Sequence, residues 1–350
     1  MLLLAPLASA STVTDLPPFL RGDVEIGYAY DRVAGDILER GDEEVVVAQR
    51  AIQEHVMHYG GAFAVAPGAA LTLDLPHYIS ETIGYDSWSE MVYDPSTGSG
   101  TYQGTQSGTA GTLVKGSGVG GVWIGAKGTP FSQIWKSRNH RATWLLGLAI
   151  RTPDGSSLWS VEKPAENGPA TRGAGPGGLA VRLETAFSAT YGASEPYMLF
   201  RYTSEGSSKV DVMDDTGAVL ASGVKVDPGD TGELRFGTEL VAGHNEASGQ
   251  RTAVDLHLGL QYTGYGSVPS GVLLPSVLSA SDGTAVQTAE QFETGAGLGI
   301  NWRPMEYLEL RLHGDVAWQL PSRPESPYPE WTGDQTLHIN TGVDLAVRVR

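Results

Sequence analysis

The sequence predicts an all-β protein: a transmembrane, antiparallel, up-and-down β-barrel of about twelve strands. Three observations predict it. Apolar and polar residues alternate through segments longer than ordinary strands, which run about 5–6 residues. The connections between those segments are short and long in strict turn. No apolar run approaches the roughly 20 residues that a membrane-spanning helix needs.

The alternation is clearest in LELRLHGDVAW, residues 308–318. Leu308, Leu310, Leu312, Gly314, Val316 and Trp318 fall on one face; Glu309, Arg311, His313, Asp315 and Ala317 fall on the other, because a strand sends successive side chains to opposite sides. The pattern recurs. In 252–263, Val254, Leu256, Leu258, Leu260 and Tyr262 oppose Asp255, His257, Gly259 and Gln261. In 337–349 the face of Leu337, Ile339, Val343, Leu345, Val347 and Val349 opposes His338, Asn340, Gly342, Asp344, Ala346 and Arg348. In 179–191 Leu179, Val181, Leu183, Phe187 and Tyr191 oppose Arg182, Glu184 and Ser188. In 233–241 Leu234, Phe236 and Leu240 oppose Glu233, Arg235, Gly237 and Glu239, and in 24–31 Val24, Ile26, Tyr28 and Tyr30 oppose Glu25, Gly27, Ala29 and Asp31. Several of these segments reach the 9–11 residues of a tilted membrane-crossing strand.

Twelve segments emerge, an even number: about 24–31, 43–59, 69–76, 119–128, 140–151, 178–191, 195–203, 231–242, 251–263, 286–302, 306–318 and 336–349. If the hairpin-like 209–226, with its turn at Asp214 to Gly217, also crosses, the count is fourteen. Connections after even-numbered segments (60–68, 129–139, 192–194, 243–250, 303–305) are short. Those after odd-numbered segments (32–42, 77–118, 152–177, 204–230, 264–285, 319–335) are longer, and 94–120 reads as a flexible Gly/Ser/Thr run. A soluble sheet explains one alternating strand equally well, but gives no reason for loops to sort this way; periplasmic turns and extracellular loops do. On the lipid-facing parity, Tyr30, Tyr202, Tyr262 and Trp318 fall at long-loop ends, and Tyr191, Trp302 and Tyr307 at short-turn ends, where two interfacial girdles are expected. Inward glycines such as Gly237, Gly259, Gly295, Gly297, Gly299 and Gly342 leave room inside a curved sheet.

The bulk numbers agree. There is no cysteine, hence no disulfide, thiolate metal site or cysteine nucleophile, and the net charge of −17 excludes a nucleic-acid partner. MLLLAPLASAS, with Ala8-Ser9-Ala10, reads as a signal peptide over 1–10, followed by a periplasmic segment 11–23 and the barrel from 24 to 350. Only about a dozen residues then precede Val24, too few for a plug. The expected place is the Gram-negative outer membrane, with membrane lipid and lipopolysaccharide as partners and periplasmic or envelope-complex proteins as further candidates.

Two passages carry a family likeness: HYGGAFAVAPGAALTLDLPHYI (58–79), and GSGVGGVWIGAKGTPF (116–131) followed by LLGLAIRTPDG (145–155). They resemble a group of Gram-negative outer-membrane transporters named for the MetA pathway of phenol degradation, distant cousins of FadL-type channels. The resemblance implies a β-barrel that passes small molecules. The ending Val347-Arg348-Val349-Arg350 departs from the terminal aromatic such barrels usually carry.

Candidate functional residues are those of the inward parity: Arg182, Glu184, Glu233, Arg235, Glu239, Asp255, His257, Glu293, Glu309, Arg311, His313, Asp315, His338, Asp344 and Arg348. Mixed charges in a narrow barrel either satisfy one another and close it, or line a conduction path and set its ion preference. The leading expectation is a porin-like channel or transporter for small solutes. The alternative is a barrel anchoring a trans-envelope machine, such as gliding motility or polysaccharide export. An outer-membrane enzyme is the weakest reading, since no serine lies in a recognisable nucleophile setting and the histidines of clear parity point inward. No cofactor, metal or catalytic residue is expected: His257, His313 and His338 share a parity but differ in depth, and Asp211, Asp214, Asp215, Asp227 and Asp230 lack the spacing of a calcium loop.

Overall fold

Lipid supplies no hydrogen-bond partners, so a chain that crosses it in strands must pair both edges of every strand. The computed structural model shows how this chain does so. It describes residues 14, 16–18, 20–39, 45–94, 99–106, 111–131, 142–153, 161–163, 171–175, 177–213, 217–245, 247–269, 285–288, 290–320, 331–333 and 336–349. The expected signal peptide, and Asp214 and Asp215, lie outside these residues. No described helix is long and apolar enough to cross a membrane.

Twelve staves form the wall: β1 (Gly22–Glu39), β2 (Val45–Ala66), β3 (Ala69–Asp94), β4 (Gly111–Val119 continued by Trp123–Phe131), β5 (Ala142–Arg151) and β6 (Ala180–Ala189). The circuit continues with β7 (Ser194–Glu205), β8 (Thr231–Asn245), β9 (Gln250–Thr263), β10 (Gln291–Met305), β11 (Leu308–Gln319) and β12 (Thr336–Val349). Each pairs antiparallel with the next. β12 returns to β1, from Gly22↔Val349 to Ala34↔Leu337, and the ring closes.

The expected segments fall on these staves, with two differences and one open count resolved. β1, β2 and β3 run well past their apolar alternation at the long-loop end, because backbone pairing continues between them into water. The Gly/Ser/Thr run is not a featureless linker: Ser99–Gln106 pairs with the projecting end of β3, and Gly111–Val119 is the outer half of β4. The expected flexibility was read from small side chains, but main-chain pairing needs no side chain. Finally, Ser208–Met213 and Val219–Val226 pair with each other in a two-stranded sheet of their own, which settles the count at twelve rather than fourteen.

Two short turns show why the inner end is tight. Pro67-Gly68 joins β2 to β3, with Gly68 at φ 72°, the geometry that Pro then Gly favours. Gly192, at φ 64°, opens the two-residue turn bridged by Tyr191 and Ser194.

The barrel is apolar outside and charged inside. Leu258 is 63% exposed, and Leu148, Leu183, Phe236, Leu298, Leu312 and Leu345 are exposed with it. Glu239 is 0% exposed, and Asp255, Arg235, Asp315, His338 and Asp344 are buried. The exposed band is a lipid-facing belt rather than a surface for water. Tyr191, Tyr202, Tyr262, Trp302, Tyr307 and Trp318 are exposed at its two borders, and Tyr30 packs its ring 4.9 Å from that of His55. The Tyr202 and Tyr262 hydroxyls donate to Asp230 and Glu290, each at 2.5 Å, at the long-loop border.

Leu258→Arg places a charge on this belt and is expected to cost about 2–4 kcal/mol in refolding into lipid vesicles, while Leu258→Phe stays near wild type. Equal stability of the Arg variant would mean that this face meets water.

Candidate functional site

Because alternate side chains of every stave turn to one interior, charges from the same stave and from staves one or two apart meet there. At the short-turn end, Arg251 donates to Glu239 at 3.0 and 2.9 Å and to Glu195 at 2.7 Å, and Asn301 donates to Glu239 at 2.6 Å. Arg303 and Arg311 both donate to Glu309, Arg311 reaches Glu25 at 3.3 Å, and Arg348 donates to Asp23 at 3.0 Å. Mid-barrel, Glu184 accepts from Lys127 at 2.7 Å and from Arg201 at 3.1 Å. Glu233 accepts from Arg201 at 2.9 Å and from Arg235 at 2.6 Å. The Arg182 guanidinium carbon lies over the Trp123 ring, 3.8 Å from its centre, and that of Arg151 lies 5.4 Å from it.

Two histidines are bracketed by acids. His257 meets Asp255 at 2.9 Å and Asp315 at 2.5 Å, and Asp255 also accepts from the Tyr197 hydroxyl at 3.1 Å. His338 meets Asp31 at 2.5 Å and Glu293 at 3.2 Å. His313 has its nearest acid, Asp344, at 3.8 Å. Every sequence-predicted interior residue therefore sits within the barrel, most in one of these small networks. The fit is close: a Cβ on Gly297 would strike both His257 and Asp315, and one on Gly237 would strike the Tyr197 ring.

Among the described residues, no three histidines or acids are arranged to hold a metal ion. The described loop aspartates anchor turns instead. Asp211 accepts from the Gly223 N–H, Asp227 from the Gly229 N–H, and Asp230 from Ser204 and the Glu205 N–H as well as Tyr202.

Sequence reasoning missed several interior groups. Glu54 and Glu81 lie on β2 and β3 as cross-strand neighbours, in line with Asp31 of β1, whose inward face alternation had assigned; all three are buried, Glu81 at 0% exposure. A bulge at Ile79 moves the inward face of β3 from even to odd positions, so Glu81 points inward with Tyr78 and no simple alternation finds it. Arg201 and Arg251 were missed too; on β7 the inward Tyr197 and Leu199 are apolar and blur the pattern.

Those apolar residues have a use. Leu16 packs against Leu145, Ala186, Tyr197 and Leu199, and Thr14 shares a 2.6 Å hydrogen bond with Ser188. The chain arrives there through a turn in which the Arg21 N–H donates to Pro18, with Leu20 at φ 60°, a strained setting for a side chain. Residues 11–23 were expected outside the barrel, too few to plug it; the described part of that segment instead folds back under the inner rim. At the other end, residues 171–175, expected as part of an extracellular loop, dip inward: Ala174 is buried against Val56 and Tyr78. Arg151 holds this loop to the wall, donating to Gly178 O at 3.1 Å and to Glu205 at 2.6 Å.

Between the inner rim and the mid-barrel charges lies a cavity of about 310 Å³. Its wall mixes Leu16, Pro17, His58 and Trp123 with six cations, Lys127, Arg182, Arg201, Arg303, Arg311 and Arg348, and seven acids, Asp23, Glu25, Asp74, Glu184, Glu306, Glu309 and Asp344.

A closed ring of strands with a lipid belt outside and ion pairs inside defines an outer-membrane β-barrel. No family model and no curated protein sequence matches this chain. Among solved structures, an outer membrane channel from Pseudomonas putida F1 superposes with a TM-score of 0.52 at 12% identity, over 95% of this chain and 97% of that one; the two share a fold. Weaker superpositions are with a mutant of the TodX monoaromatic hydrocarbon channel (TM-score 0.44, 10% identity, 98% and 93% covered) and a Pseudomonas aeruginosa FadL homologue (0.40, 10%, 94% and 90%).

Arg235 is 3% exposed and Glu233 is its one carboxylate within 4 Å among the described residues. Glu233→Met strands that cation and is expected to destabilise the barrel by about 3–5 kcal/mol. Arg235→Met added to it restores much of the loss, as read in a double-mutant cycle of urea unfolding; no recovery would mean the pair is not coupled.

Proposed function

We propose that this protein is an outer-membrane channel or transporter for small solutes, selected by the charges of its interior. The observation that carries the reading is the interior itself: a wet-chemistry set of arginines, carboxylates and histidines enclosing a cavity, in a barrel whose other face is built for lipid. The fold shared with an outer membrane channel supports it. The reading assigns no catalytic step. Selection would fall to the charges at the narrow points, with Arg311, held between Glu25 and Glu309 at the inner mouth, as the filter residue.

The test is single-channel conductance of the refolded barrel in a planar bilayer, with folding confirmed by heat-dependent gel mobility. Wild type is expected to conduct, and Arg311→Glu to move the reversal potential toward cation preference. A folded barrel that stays silent at all voltages would overturn the reading and favour an anchor in a trans-envelope assembly.

A further inference from the structure

The acids of the interior are not alike. Glu184 and Glu233 each hold two cations. Asp31, Glu54 and Glu81 stand in a row at the outer border of the lipid belt, Asp31 opposite Glu54 and Glu54 opposite Glu81, and directly opposed side chains in a sheet lie about 5 Å apart. All three are buried, and among the described residues no arginine or lysine lies within 4 Å of any of them. His338 takes Asp31 Oδ1 at 2.5 Å, but Asp31 Oδ2, Glu54 Oε2 and both carboxyl oxygens of Glu81 have no hydrogen-bond partner. On its other side Glu81 faces Gly116, which has no side chain to offer. Like charges so close and so dry cannot all stay ionised; a proton shared between neighbouring carboxyls relieves them. A metal ion is not provided for, since no three acids or histidines among the described residues are arranged to hold one, and Glu81 shows no surface to a larger cation.

The cover over this row is the 171–175 loop. Thr171 and Arg172 pair in parallel with Lys115 and Gly116 of β4. The chain then turns inward, with Gly175 at φ 96° and Gly177 at φ 78°, and lays Ala174 on Val56 and Tyr78, the cross-strand pair beside Glu54 and Glu81. The Gly175 N–H is directed at Glu81 without closing a hydrogen bond of ordinary length and angle. The other charged groups around the row are His338 of β12, bracketed by Asp31 and by Glu293 of β10; Arg172, which donates to Met213 O; and Lys115 of β4, which is exposed.

We propose that Asp31, Glu54 and Glu81 form a proton-operated latch: with a proton shared along the row the 171–175 loop lies down over Val56 and Tyr78, and when the proton leaves to water the loop lifts. The latch goes beyond the channel reading and does not depend on it. The sign follows from where the charge is tolerated. Under the loop an ionised row has neither water nor enough cations, whereas a lifted loop lets water solvate each carboxylate. The covered state therefore holds the proton more tightly than the lifted one, so falling pH favours cover and rising pH favours lifting.

The chain has no cysteine, so one introduced thiol reports on the loop alone. The test is the rate at which a small neutral thiol reagent labels Ala174→Cys in the full, detergent-folded chain. Each rate is divided by that of the exposed Ser222→Cys at the same pH, which removes the thiol's own titration. Between about pH 6 and about pH 9 this relative rate is expected to rise about tenfold or more. Glu81→Gln, in the same cysteine background, keeps the position neutral and is expected to hold the relative rate low at both ends. If Ala174→Cys does not show the heat-dependent gel mobility of a folded barrel, Val56→Cys, which lies under the loop, replaces it. A relative rate that does not change with pH, or a rise that survives Glu81→Gln intact, would overturn the latch. Conductance with a pH-independent relative rate would remove the latch and keep the channel. A pH-dependent rate, abolished by Glu81→Gln, in a barrel that never conducts would keep the latch and remove the channel.

Discussion

Everything in this molecule depends on the backbone closing its own hydrogen bonds. In hydrocarbon an unpaired N–H or C=O has no substitute partner, so twelve staves must meet in a ring. Closing the ring fixes the side-chain faces, since each stave shows alternate residues to lipid and to the interior. The lipid face admits little but apolar side chains. Charge is thereby driven inward, where an arginine on β7 meets the acids that sit opposite it on the adjoining staves β6 and β8.

Crowding charges together has an electrostatic consequence. An ion taken from water must be paired, or its burial costs several kcal/mol. The interior answers with short chains of alternating sign, such as Lys127–Glu184–Arg201–Glu233–Arg235. These chains are also unevenly spread. Arg251, Arg303, Arg311 and Arg348 sit near the short-turn ends of their staves, whereas Asp31, Glu54, Glu81 and Glu293 gather on one wall toward the long loops, with His338 among them. At the short-turn end each of these arginines is matched by an acid: Glu195, Glu239, Glu309, Glu25 or Asp23. The two ends are covered in different ways as well, by Leu16 on an apolar patch within and by the 171–175 loop over Val56 and Tyr78.

The number and placement of the staves were legible because lipid enforces the alternation and the envelope sorts the loops. Legibility failed where those pressures lapse. Beyond the lipid belt β1 to β3 are held by main-chain pairing, which leaves no periodic mark on sequence. At Ile79 one extra residue reverses the parity of the part of β3 that follows it. On β5 to β7 the inward Leu145, Ala186, Tyr197 and Leu199 are apolar because they receive the N-terminal segment, so inside and outside look alike there. The candidate site was half legible. Arg182, Glu184, Glu233 and Arg235 could be assigned to the interior from alternation, but their grouping with Lys127, Arg201 and Trp123 depends on which staves adjoin, and that is a property of the closed ring.

The seam between β1 and β12 joins the ends of the chain: Gly22 lies opposite Val349. Nearly every other wall contact is between staves adjacent in sequence and can zip locally, but this one requires the last stave to exist before the first can be satisfied. Contacts so distant along a chain form slowly. Until they form, β1 presents an open edge able to pair with any exposed strand, its own or a neighbour's. Until β12 is in place, then, the first stave carries one unpaired edge, and closure competes with mispairing there.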